Sequence, residues 1–103
     1  MIIYRVIVEV NNDIEIEWLK WMKAIHIPDV IKTGYFFDWN IEKQILPDNS
    51  PGETTYIINY YANTISDYQK YSEREAARLQ EEHSKRYSGK FQASRIILKT
   101  LTK

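Results

Sequence analysis

The sequence predicts an α+β domain of element order βαββαβ, with one four-stranded antiparallel sheet and two helices on one of its faces. Three observations carry that expectation: period-two alternation at the start of the chain and again from Thr54 to Tyr61, apolar residues at helical spacing in two charged stretches, and one dense cluster of turn formers. The 103 residues should bury roughly two-thirds of their unfolded surface, as a single domain over 1–103.

From Ile2 to Val10, the residues Ile2, Tyr4, Val6, Val8 and Val10 are all apolar, against a mixed register of Ile3, Arg5, Ile7 and Glu9, which reads as a strand with one fully buried face. Asn12 and Glu15 have capping-box spacing, and Ile14, Trp18, Trp21 and Ile25 recur at helical spacing, so a helix is expected from about Asp13 to about Ile25. Pro28 disfavours helical geometry at Ile27 and should end that helix near His26. Phe37, Trp39, Ile41 and Ile45 share a register and predict a long edge strand from Tyr35 to Leu46. Pro47 to Gly52 turns the chain into a third strand, Thr54 to Tyr61, with Tyr56, Ile58 and Tyr60 on one face and Ile57, Asn59 and Tyr61 on the other. Ser66 and Gln69 repeat the capping-box spacing, and the stripe Ile65, Tyr68, Ser72, Ala76, Leu79, His83 and Tyr87 predicts one long helix ending before Gly89. Phe91 to Leu101 supplies the last strand.

Two right-handed strand-helix-strand units joined by a hairpin make the ferredoxin-like sandwich and leave one sheet face open. Giving each strand's more apolar register to the helices places Ile3, Arg5, Ile7, Glu9, Ile57, Asn59, Tyr61, Arg95, Ile97 and Lys99 on that open face. Four isoleucines there exceed the apolar patch a monomer usually shows, so a covering partner, most economically a second copy, is expected.

Composition narrows the function classes. Lys+Arg and Asp+Glu stand at 14 each, for a net charge of +0, which supplies no excess positive charge for nucleic acid or an anionic membrane. The open face also lacks the stacking aromatics and basic surround of an RNA-recognition domain. With no cysteine there is no disulfide framework or thiolate chemistry. No apolar run reaches a membrane span and no signal-peptide pattern opens the chain, so a cytoplasmic protein is expected. P-loop, G-x-G-x-x-G, G-x-S-x-G and H-E-x-x-H patterns are absent.

Trp18-Leu19-Lys20-Trp21-Met22-Lys23-Ala24-Ile25-His26-Ile27-Pro28-Asp29-Val30, together with Arg78-Leu79-Gln80 and Arg86-Tyr87-Ser88-Gly89-Lys90-Phe91, resembles a small bacterial family classed as a domain of unknown function. The W-x-x-W-M-x-x-x-H-I-P-D-V run carries the likeness, which spans nearly the whole chain. Ala77 and Tyr87-Ser88 depart from that family's Pro and Phe-Gly. The resemblance implies a dimeric α+β barrel in which two ferredoxin-like protomers pack sheet against sheet. It implies no activity, since the wider superfamily holds cofactor-independent monooxygenases, isomerases, haem-degrading enzymes and binding modules.

His26 is the leading candidate for chemistry, as a general base or hydrogen-bonding group in a helix–sheet cavity, with a cationic helix cap beside Asp29 as the structural alternative. Arg5, Asn59 and Arg95 are candidates for holding an anion, or for pairing with Glu9 or a partner's acid. Trp39 with the other aromatics suggests an aromatic lining or simply core. His83 reads as a solvated or boundary histidine, with Leu79 at i−4 opposing a metal site. No metal and no organic cofactor are expected. Three functions remain open: a homodimeric binder of a small, partly apolar or anionic molecule, a cofactor-independent oxygenase or isomerase using His26, and a structural or regulatory dimer. Either ligand reading calls for a cavity of at least ~300 Å³.

Overall fold

The computed structural model describes residues 1–102. β1 covers Ile2–Asn11, β2 Asp38–Lys43, β3 Glu53–Ala62 and β4 Phe91–Lys99, while α1 covers Glu15–Trp21, α2 Ile27–Lys32, α3 Ile65–Arg74 and α4 Ala76–Arg86. The sheet has the order β2-β3-β1-β4 with antiparallel pairs throughout, the ferredoxin-like arrangement. Val10, Ile58 and Leu79 are fully buried, together with Trp18 and Ile27, so the core lies between the sheet and all four helical segments.

The first helix departs from its expected end. Rather than stopping at His26, the chain makes a π turn over Met22–His26 and continues as α2, with the Ile27 N–H bonding back to the Met22 carbonyl. Pro28 then falls in the first turn of α2, where its missing N–H is harmless. The extra residue in the turn re-phases the stripe: Ile25 points out at 48% exposure, and His26 takes the inward position after Met22. The expected Asn12–Glu15 capping box does not form. Asn12 Oδ1 instead accepts from Thr54 Oγ1 at 2.9 Å, and Glu15 accepts from Tyr56 OH at 2.6 Å, so both side chains fasten the start of α1 to β3.

The second helical stretch is two helices, not one. Inward positions run through Tyr68 and Tyr71 in α3 and Ala76, Leu79 and His83 in α4, and the five-residue step from Tyr71 to Ala76 does not fit a straight helix. A break at Glu75, with φ −126 and ψ −33, restores the phase. Thr64, not Ser66, caps α3, accepting from the Asp67 N–H at 3.2 Å. β2 is shorter than expected because Phe36 turns into the core against Tyr71 and Tyr60, leaving Phe37, Ile45 and Leu46 exposed.

β4 reverses an expected face. Arg5 opposes Ile96 and Tyr4 opposes Ile97, so Arg95, Ile97 and Lys99 lie on the helix side and Ile96 and Leu98 on the open side. Phe91 sets this register by packing edge-on against His83 at 4.2 Å between ring centroids. No helix among the described residues is long and apolar enough to cross a membrane. Leu79→Ala in α4 should cost about 2–5 kcal/mol of stability from the lost burial and residual cavity, read as a lower urea midpoint with an unchanged slope, whereas Ile45→Ser in the exposed hairpin should leave the midpoint in place.

Candidate functional site

The π turn carries His26 to the underside of the helical layer, where its ring stacks on Trp21 at 5.1 Å and meets the His83 ring at 5.7 Å. Its Nδ1 is buried and has no hydrogen-bond partner. Burial pushes the imidazole down to about 4, and Arg95 adds to that effect while Asp29 opposes it. His26 is therefore neutral at pH 7, and the expected cationic helix cap is not what forms: the helix does not end there, and desolvation outweighs Asp29.

His83 is the residue that sequence reasoning missed. It is buried at 7% exposure in α4, not solvated, because the re-phased stripe turns it onto the sheet. Trp18 Nε1 donates to its Nε2 at 2.8 Å. An indole N–H can only donate, so His83 carries its proton on Nδ1 and is neutral. Burial, reinforced by His26 and Arg95, pushes it down to about 4. The signal available in the sequence was the i,i+4 step from Leu79 to His83 on an apolar stripe.

Between these imidazoles and the sheet lies a cavity of about 30 Å³, lined among others by Tyr4, Tyr60, Tyr71, Gln80 and Arg95. That volume accommodates one or two waters or the head of a small molecule. It falls an order of magnitude short of a site enclosing a whole ligand. Arg95 forms the exposed rim on edge strand β4 and donates from Nε to Tyr4 OH at 3.2 Å. Among the described residues it makes no ion pair, and no carboxylate lines the cavity. Burial raises Tyr4, Tyr60 and Tyr71, so their hydroxyls stay protonated. The ring of lining groups is thus donor-rich and positive.

The structure separates the other expected site residues from this cavity. Arg5 and Asn59 are together on the opposite, open face, where Arg5 Nε donates to Asn59 Oδ1 at 2.7 Å. Asn59, only 2% exposed, passes the interaction on by donating to Asn40 Oδ1 at 2.8 Å and Glu42 Oε1 at 3.1 Å. The internal partner of Arg5 is therefore an amide linked to Glu42, not Glu9. Trp39 packs against the core from β2, at the far edge of the sheet from Arg95. Among the described residues no group of three or more His, Cys, Asp or Glu side chains is placed to hold a metal ion.

A family model described as a domain of unknown function (DUF4286) matches residues 1–101. The chain belongs to that family. No curated protein matches it. Among solved structures it is similar to an MhuD mutant with two manganese protoporphyrin IX molecules bound per active site, at 13% identity and a TM-score of 0.73, covering 100% of this chain and 97% of that one. It is also similar to a dimeric ferredoxin-like protein from an uncultured marine organism, at 13% identity and TM-score 0.68 with 100% and 97% covered. SnoaB, a cofactor-independent oxygenase from Streptomyces nogalater, follows at 6% identity and TM-score 0.64, with 99% and 95% covered. At such identities the likeness shows the fold alone.

Because both histidines have lowered values in the folded protein, protonation favours the unfolded chain. The stability they contribute is complete above pH 6.5 and drains away as pH falls from there to about 4. The loss should be on the order of 3 kcal/mol per imidazole at most, less for the partly exposed His26. His83→Gln keeps an acceptor for Trp18 while removing the titration. Urea denaturation followed by tryptophan fluorescence should show wild type losing more stability than this variant between pH 7 and pH 5.

Proposed function

We propose that this chain is the protomer of a homodimeric α+β barrel, acting in the cytoplasm, that binds a small, partly apolar molecule through an anionic end. The observation that carries the ligand assignment is Arg95: a guanidinium at the mouth of a cavity lined by Tyr4, Tyr60, Tyr71 and His83 but by no carboxylate. A planar carboxylate suits the guanidinium fork, and a group of that size suits a cavity of about 30 Å³. His26 adds a second neutral imidazole to the lining. The apolar remainder of the ligand would rest outside, along β4. The dimeric ferredoxin-like neighbour supports the homodimer by analogy of fold.

The oxygenase or isomerase alternative draws support only from neighbours such as SnoaB. It asks His26 to act as a base, and a group pushed down to about 4 is a weak proton acceptor at neutral pH. Binding is the reading that this environment favours.

Native mass spectrometry of protein purified without added ligand should show a dimer. Titration with small aromatic and aliphatic carboxylates should shift the NMR signals of His26, His83 and Tyr4, and Arg95→Met should weaken that response about tenfold or more, the loss expected for a charged hydrogen-bond pair. A monomeric mass would overturn the barrel. A dimer whose spectrum ignores every carboxylate would overturn the anion site and leave a structural or regulatory dimer.

A further inference from the structure

The sheet ends in β2 on one side and in β4 on the other. β2 has six residues, whereas β4 runs for nine without a proline. The ladder between β4 and β1 is fixed at both ends, where Asn11 N–H donates to the Lys90 carbonyl and Thr100 N–H to the Met1 carbonyl, each at 3.0 Å. Antiparallel pairing alternates bonded and unbonded residues. In this register the even-numbered residues of β4 bond to β1, and the N–H and carbonyl groups of Ala93, Arg95, Ile97 and Lys99 point away from it in the plane of the sheet. Among the described residues no other backbone group bonds to them.

The same residues carry their side chains on the helix face. Arg95 stands at the cavity mouth with its Nε bonded to Tyr4 OH, and its two Nη groups have no partner among the described residues. Two positions on, Ile97 borders a groove of about 560 Å³ whose other apolar walls include Ile2, Ile65 and Leu98. Two positions further, Lys99 lines that groove too and makes no ion pair among the described residues. Along the unpaired edge the order is therefore cation, isoleucine, cation, at the ~6.6 Å spacing of alternate strand residues. An apolar strand laid on this edge would leave both cations without counter-charge. A strand with acids opposite them would pair each one.

We propose that the β4 edge takes up an extended acidic peptide as a fifth, antiparallel strand, with acidic side chains opposite Arg95 and Lys99 and an apolar side chain between them opposite Ile97. The proposal rests on the anion reading above and names the ligand class: the carboxylate at Arg95 belongs to a peptide side chain, and the apolar remainder along β4 is the strand itself. Main-chain bonds to Arg95, Ile97 and Lys99 supply affinity, and side chains at alternate positions select an acid-x-apolar-x-acid sequence. The groups used lie in the plane of the sheet, not on its open face.

The blocked peptide acetyl-Thr-Glu-Thr-Ile-Thr-Glu-Thr-amide carries that pattern and has no terminal carboxylate. Titrated into the whole chain and followed by NMR, it should bind, and replacing both of its glutamates by glutamine should weaken binding about tenfold or more. N-methylation of its isoleucine, whose N–H would meet the Ile97 carbonyl, should weaken binding at least as much. N-methylation of the threonine beside it, whose N–H would point to solvent, should leave binding in place. In the protein, Ile97→Pro removes an outward N–H without breaking the ladder to β1, and should lose the peptide while keeping the response to small carboxylates. The N-methyl pair uses the wild-type chain, so it decides the matter even where Ile97→Pro fails to fold. Small carboxylates that bind where the peptide does not, or two N-methylated peptides that bind alike, would overturn the strand and leave the anion site standing. If neither carboxylates nor peptide bind, the anion reading falls with it. If Ile97→Pro turns a wild-type dimer into a monomer, a second copy holds the edge and the proposal is overturned.

Discussion

The Trp18 indole reaches across the helical layer to His83 Nε2, joining residues 65 positions apart in a bond of 2.8 Å that is closed to water. Around it, Tyr56 packs on Trp18 at 5.1 Å and Phe91 meets the edge of His83 at 4.2 Å, so the start of α1, the middle of α4 and two strands all meet at one polar contact. A buried indole N–H without an acceptor is costly, and a protonated imidazole cannot accept. The bond thus ties the placement of the helices to the charge state of one ring. It also leaves His83, with its remaining proton on Nδ1, among the residues that line the cavity beneath the helices.

The two faces of the sheet deal with an arginine in opposite ways. On the open face, the Asn59 amide accepts from Arg5 and donates to Asn40 and to the Glu42 carboxylate, linking the guanidinium to an acid across three strands. On the helix face Arg95 has only a tyrosine hydroxyl beside it and stays at the rim, in contact with solvent. A guanidinium beside neutral imidazoles and protonated phenols keeps its attraction for an anion. The same residue type is consumed by structure in one place and left available in the other.

Strand identity and order were legible in the sequence because period-two alternation is strong in β1 and β3, and the face of each of those strands follows from it. The face of β4 was not, because Arg95, Ile96, Ile97 and Leu98 place apolar residues on both registers, and only pairing with β1 and the docking of Phe91 decide between them. His26 was recognisable as a residue of interest, yet its environment was misjudged: a proline two positions later signals a helix stop, whereas the chain absorbs it in a π turn. Glu15 shows the converse, a local capping pattern overridden by a tertiary bond to Tyr56. The cavity itself was illegible in outline, since His83, Arg95 and His26 come from three elements whose phases depend on the two helix irregularities.

The π turn between Trp21 and Ile27 is equivalent to one residue inserted into an ordinary helix. Shortening the segment by that residue would let the α-helical ladder close with His26 four positions after Trp21, the inward place it already holds. Closing the ladder with every residue kept would instead put Ile25 in that place, four positions after Trp21, and the polar cavity would become an apolar seam. Whether this domain holds a site or merely a core therefore hinges on the register of a single turn, and the spacing from Trp21 to the histidine has to be read together with the shape of the helix that carries it.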